Sequence, residues 1–147
     1  MAHTLYHGGG PEMYGYYVQP VSGSPYYRCA SGDDSIKHVG DFVARARTES
    51  NSAPFCANTY GQAAGNVKVG SAVLEEDPIT GWAFCTSVVY ADNTSGSYSA
   101  ESQAQNVLDC QGGLCYQAMS SHNVWIINAW RDQFLFSPKH PDAGNCY

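Results

Sequence analysis

Apolar and polar positions follow two different periods along this chain. From Asp33 to Arg47, Ile36, Val39, Phe42, Val43 and Ala46 recur at helical spacing, and Lys37, Asp41, Arg45 and Arg47 lie off that stripe. Asp33, Asp34 and Ser35 supply capping groups and negative charge at its start. A helix is predicted here, ended by residues 49–54, with Gly40 costing about 1 kcal/mol relative to Ala. A second helix is predicted over residues 99–110, with Ala100, Ala104, Val107 and Leu108 on one face and Gln111-Gly112-Gly113 as its stop. Strands are predicted at 14–19, 25–29, 66–74, 82–91, 114–119 and 123–130. The last is nearly all apolar, which suits a central strand. Turn signals fall at Ser31-Gly32-Asp33, at Asp77-Pro78 with Thr80-Gly81, and over residues 92–97. The expectation is an α+β fold, a mainly antiparallel sheet with two helices.

Length and cysteines refine that picture. The chain has 147 residues, enough for one domain with a real core. Residues 1–24, rich in Gly, Tyr and Pro without a period, read as a flexible arm, and 25–147 as the single folded domain. The six cysteines are Cys29, Cys56, Cys85, Cys110, Cys115 and Cys146, an even set with no C-x-x-C pair. Zinc-finger and thioredoxin spacings are therefore absent, and a disulfide-stabilised domain in an oxidising, extracellular setting is expected, with the pairing left open. Asn93-Thr94-Ser95 is a glycosylation sequon, consistent with secretion. No signal peptide is visible, so the expectation is a mature domain behind an added start methionine, Met1-Ala2-His3 being a remnant.

The net charge of −6, from 13 acids against 7 bases, argues against whole classes of partner. Only Arg45 and Arg47 approach a basic cluster, too little to neutralise phosphates, so no nucleic acid is expected. Anionic membrane surfaces are disfavoured for the same reason, and no apolar run is long enough for membrane insertion. His3, His7, His38, His122 and His140 are too scattered for a metal site, and none is assigned.

Four constellations bear on function. Tyr14, Tyr16, Tyr17, Tyr26 and Tyr27 cluster near the start. Exposed, such residues would bind a protein or a glycan, because tyrosine offers contact area at low entropic cost; packed on the sheet, they would be core. His7-Gly8-Gly9-Gly10 resembles the oxyanion loop of esterases, but no G-x-S-x-G nucleophile elbow accompanies it. Cys56 with His122 would suit a cysteine hydrolase, which needs a thiolate and a histidine to activate it. Asn128-Ala129-Trp130 resembles the Asn-Ser-Trp of papain-like enzymes, yet it begins only six residues after His122.

The fourth constellation is a family likeness. Tyr27-Arg28-Cys29-Ala30-Ser31, then Ser50-Asn51-Ser52, then Gly81-Trp82-Ala83-Phe84 and Ser97-Tyr98-Ser99-Ala100-Glu101 follow one another along the chain. This order resembles the mono-ADP-ribosyltransferase toxins of the cholera and pertussis type, whose motifs run Arg, Ser-Thr-Ser, Glu-x-Glu. The resemblance implies NAD as cofactor, Arg28 and Ser52 supporting its site, and Glu101 stabilising a ribose oxocarbenium. Ser-Asn-Ser stands where the family has Ser-Thr-Ser, and only the final carboxylate of Glu-x-Glu is kept. The leading expectation is a secreted, disulfide-stabilised, effector- or toxin-like interaction protein. It would bind an extracellular or host partner, protein or glycan, with no cofactor. An active or degenerate ADP-ribosyltransferase and a Cys56–His122 hydrolase are the alternatives.

Overall fold

The computed structural model describes residues 6–20, 27–39, 41–52, 58–77, 79–105, 115–126, 129–137 and 140–141. They form eleven strands: β1 (Tyr6–Pro20), β2 (Tyr27–Val39), β3 (Asp41–Ser52), β4 (Asn58–Thr59), β5 (Val67–Asp77), β6 (Gly81–Phe84), β7 (Val89–Asp92), β8 (Ser99–Gln105), β9 (Cys115–Ile126), β10 (Ala129–Phe136) and β11 (His140–Pro141). Every pairing is antiparallel. The first sheet runs β1-β2-β3-β4, with β8 also on β3; the second runs β10-β9-β5-β6, with β7 also on β5 and β11 on β9.

The two sheets pack face to face, β3 and β8 against β5 and β2 against β9, so the architecture is a β-sandwich. Alternation sets the inner face. On β8, Ala100, Ser102 and Ala104 point in while Glu101, Gln103 and Gln105 point out. On β9, every even position from Tyr116 to Ile126 is buried. Two apolar clusters result. Ala30, Ala46 and Ala100 meet Val67, Val69, Val124 and Ile126; Ile36, Phe42 and Ala44 meet Val73, Cys85, Tyr116 and Ala118, with the Phe42 and Tyr116 rings stacked 3.7 Å apart. Alanines on the first sheet let the layers approach closely, and the larger β-branched side chains of the second fill the space between them.

This all-β architecture corrects the α+β expectation. No helix occurs among the described residues, and hence none long and apolar enough to cross a membrane. The segment from Asp33 to Arg47 is the end of β2 and the start of β3, reversing between Val39 and Asp41. Its helical spacing arises from joining two period-two patterns across that reversal. Residues 99–105 are β8, where alternation prevails over the helix propensity of Ala and Gln because one face is buried; 106–110 lie outside the described residues. The strands expected at 114–119 and 123–130 are one continuous strand, β9, followed by β10. The strand expected at 82–91 is two pieces of one edge, β6 and β7, both held on β5. Residues 6–20, expected within the arm, pair with β2.

No disulfide joins two described residues, and the described sheets are held together by the core above. Cys85 and Cys115 are buried and neither is a free thiol. Cys29 lies on β2 opposite Asn51, while Cys56, Cys110 and Cys146 fall outside the described residues.

Candidate functional site on the outer face of the second sheet

The most catalytic-looking set of side chains is sealed inside the sandwich. Thr48 Oγ1 lies 2.7 Å from His122 Nδ1, His122 Nε2 lies 2.7 Å from Ser120 Oγ, and Ser120 donates to Asp34 Oδ2 at 3.0 Å. All four residues are buried. Burial pushes the His122 pKa from 6.5 down to about 4, partly offset by a hydrogen bond to the Arg47 backbone, so the ring is neutral at physiological pH. Ser120 gives its proton to Asp34, and its oxygen and that of Thr48 meet the two ring nitrogens of His122. The four side chains thus form one connected polar chain from Thr48 to the carboxylate, each bond polarising the next. Ser102 and Ser71 add a second polar link between the sheets at 2.9 Å. These bonds fix how the sheets sit on each other, and no substrate can reach them.

The accessible chemistry lies on the opposite side of the second sheet. Strand register places its outward residues in rows that cross four strands. One row reads Asp132, Asn123, Lys68, Asp92 from β10 through β9 and β5 to β7. Asn123 donates to Asp132 at 2.6 Å. On one side of this polar row stand Trp125 and Trp130, edge to face at 5.6 Å, with the Lys68 ammonium 4.8 Å from the Trp130 ring centre. On its other side the next row reads Phe134, Ser121, Gly70, Tyr90. Phe134 is 59% and Tyr90 68% exposed. Beyond them, Phe136 and Phe84 continue the aromatic surface around a floor of Ala72, Leu74 and Met119, against which Val88 packs.

Tyr90 is seated in a particular way. A Cβ built on Gly70 would meet Tyr90 Cε1 at 2.8 Å, Tyr90 Cδ1 at 3.0 Å and Val88 Cγ1 at 2.9 Å. The phenol ring therefore rests on bare glycine backbone, leaving much of its surface to solvent. Next to it, between β6 and β7, the edge strand bulges. Cys85 and Thr86 both donate their backbone N–H to Val73 O, while Thr86 Oγ1 accepts from Val73 N. A hollow of about 530 Å³ opens there, lined by Phe84, Cys85, Thr86, Ser87 and Val88. Bulges of this kind re-aim side chains at a sheet edge.

The residues singled out from sequence are dispersed. Arg28 and Ser52 are direct cross-strand partners on β2 and β3. Glu101 pairs instead with Arg47, five positions from Ser52 along β3, or ~17 Å at strand rise. Glu101 is exposed on β8. Tyr14, Tyr16 and Tyr17 belong to β1 and Tyr27 to β2, with Tyr14 opposite Ala30; Tyr26 lies outside the described residues. Cys56 is also outside them, and His122 stands in the middle of β9 with both ring nitrogens engaged. Among the described residues no group of His, Cys, Asp or Glu is arranged to hold a metal.

Sequence reasoning missed Trp125, Trp130, Phe134, Lys68 and Tyr90 as a set. The signal was the outward run Trp130, Asp132, Phe134, Phe136 at period two, joined to Trp125 by a tight reversal. Comparison of the chain with protein-family models, with curated proteins and with solved structures returns no match.

Proposed function

We propose that the protein is a secreted interaction protein that binds an extracellular or host partner through the outer face of its second sheet, without chemistry of its own. The observation that supports this reading is the set of large aromatic side chains exposed on one sheet face, Trp125 and Trp130 on one side of a polar row and Phe134, Phe136, Tyr90 and Phe84 on the other. Isolated exposed apolar residues are ordinary, whereas several large aromatics gathered on one face mark a binding surface. Secretion rests on the even cysteine count and low charge.

The test is retention of labelled protein on glycan arrays and on immobilised extracellular proteins. Wild type is compared with Trp130→Ala/Phe134→Ala and with Gln103→Ala on the other sheet. The reading expects retention that the double substitution removes and Gln103→Ala leaves intact. Retention unaffected by the double substitution, or NAD turnover abolished by Glu101→Gln, would overturn it.

A further inference from the structure

We infer that the ligand of this face is a neutral saccharide chain, its pyranose rings stacking on Tyr90 and the Trp125–Trp130 pair. Its hydroxyls would be held by Asp92, Lys68, Asn123 and Asp132. The inference rests on the binding reading above and adds the chemical class of the ligand.

The first argument is the seat of Tyr90. Its ring lies against Gly70 with no side chain beneath it, and Val88 closes on the same glycine. A platform of this kind is shaped for a flat, rigid ligand. The electron-rich face of an aromatic ring attracts the polarised C–H bonds that one face of a pyranose presents.

The second argument is the order of the rows. Strands stand about 4.8 Å apart, so the row from Asp132 to Asp92 is ~14 Å long, and the aromatic rows lie ~7 Å to either side. Carboxylates accept, the ammonium donates, and the Asn123 amide does both. Hydroxyl groups both donate and accept, so neighbouring hydroxyls on a sugar can satisfy such a mixed row.

Charge decides between ligand classes. The row carries two carboxylates against one ammonium, on a chain of net charge −6, so uronate or sulfated glycans would be repelled. A flat protein partner fits less well. Interface cores are depleted of charged residues, and a protein surface pressed on both aromatic rows would desolvate Asp132, Lys68 and Asp92 between them. Sugar hydroxyls replace water at each of those groups one for one.

The experiment is titration of the full chain with cellohexaose, xylohexaose, laminarihexaose, mannohexaose and chitohexaose, with heparin as the anionic probe. It is followed by calorimetry and by the fluorescence of Trp125 and Trp130. At least one neutral hexasaccharide should bind and shift the tryptophan emission, with an affinity insensitive to salt. Tyr90→Ala should weaken it about tenfold, Tyr90→Phe should preserve it because stacking needs the ring rather than the hydroxyl, and Gln103→Ala should leave it unchanged. If no neutral hexasaccharide binds, but Trp130→Ala/Phe134→Ala still removes retention on a protein or an anionic glycan, the saccharide inference falls and the binding reading stands. If that double substitution alters no binding of any kind, both fall.

Discussion

Thr48 on β3 and His122 on β9 meet across the two sheets, Oγ1 to Nδ1 at 2.7 Å, in a position closed to solvent. Because the ring is held neutral there, folding is linked to pH. The histidine pKa is about 4 in the folded protein against 6.5 for the ordinary group. Above pH 6.5 neither folded nor unfolded chain is protonated at this site, and its full contribution to stability is present. As pH falls from 6.5 towards 4 the unfolded chain binds a proton that the folded one refuses, so stability drops by about 1.4 kcal/mol per unit, roughly 3 kcal/mol in all. Urea unfolding between pH 7 and 5 should therefore show a steeper loss in wild type than in His122→Gln. Equal slopes would show that His122 titrates normally.

Asn93 is the anchor of the loops around it. Its Oδ1 accepts from the backbone N–H of Gly65 and Val67, and its Nδ2 donates to the carbonyls of Gln62, Ala63 and Ser97 at 2.9–3.2 Å. Nδ2 is also the atom that a sequon glycan would occupy, so the Asn93-Thr94-Ser95 signal cannot be used in the folded protein. Material secreted from a eukaryotic host should keep its intact mass after treatment with an amidase that removes N-glycans. Asn93→Ala should cost about 3 kcal/mol in urea unfolding, because five backbone groups, one buried and four part-buried, lose their partner together. Glycosylated protein with a native circular-dichroism spectrum would contradict this placement.

Much of the molecule was readable where burial was one-sided and side chains were large. The strand over 66–74 and the turns at 77–81 and 92–97 stand where periodicity and turn residues put them. The helices failed for a specific reason. The inner face of β3 and β8 is built from Ala44, Ala46, Thr48, Ala100, Ser102 and Ala104, small residues that carry little hydrophobic contrast, and the four alanines among them favour helix on propensity. The core contact that overrides this preference lies with Val67, Val69 and Val124, far away in sequence. The aromatic face was hidden similarly. Trp125, Lys68 and Tyr90 become neighbours only through register, and an apolar stretch from 123 to 130 reads as a buried strand until the reversal divides it.

Two glycines in the loop that Asn93 organises should differ in cost. A Cβ on Gly61 would collide with the carbonyl oxygen of Gly96, in a stretch where Gly96 N–H donates to Gln62 O and Gln62 N–H to Ser97 O. Gly61→Ala must push these two backbone segments apart, for a loss of about 2–3 kcal/mol. Gly96 has φ of +80°, but a Cβ there meets nothing. Gly96→Ala thus carries only the left-handed backbone penalty of roughly 1 kcal/mol. Thermal unfolding of the two variants side by side checks the order, and a larger loss for Gly96→Ala would refute the loop contact.

Gly70→Ala separates the platform from the fold. The added methyl would sit under 3 Å from both the Tyr90 ring and Val88, so something must move. The backbone of Gly70 is paired on both sides, with Ser121 on β9 and Tyr90 on β7, and the exposed ring is the softer partner. The ring should therefore tilt off the sheet while the strands stay in register. Stability should fall by no more than about 1 kcal/mol, and nuclear Overhauser contacts between the Tyr90 ring and the α-protons of residue 70 should weaken in the variant. If stacking on Tyr90 holds a saccharide, affinity should fall as far as it does in Tyr90→Ala, although the tyrosine is still there. Unchanged affinity together with a displaced ring would mean that the position of the ring is irrelevant to binding. A cooperative loss of several kcal/mol would mean instead that β7 had been prised from β5.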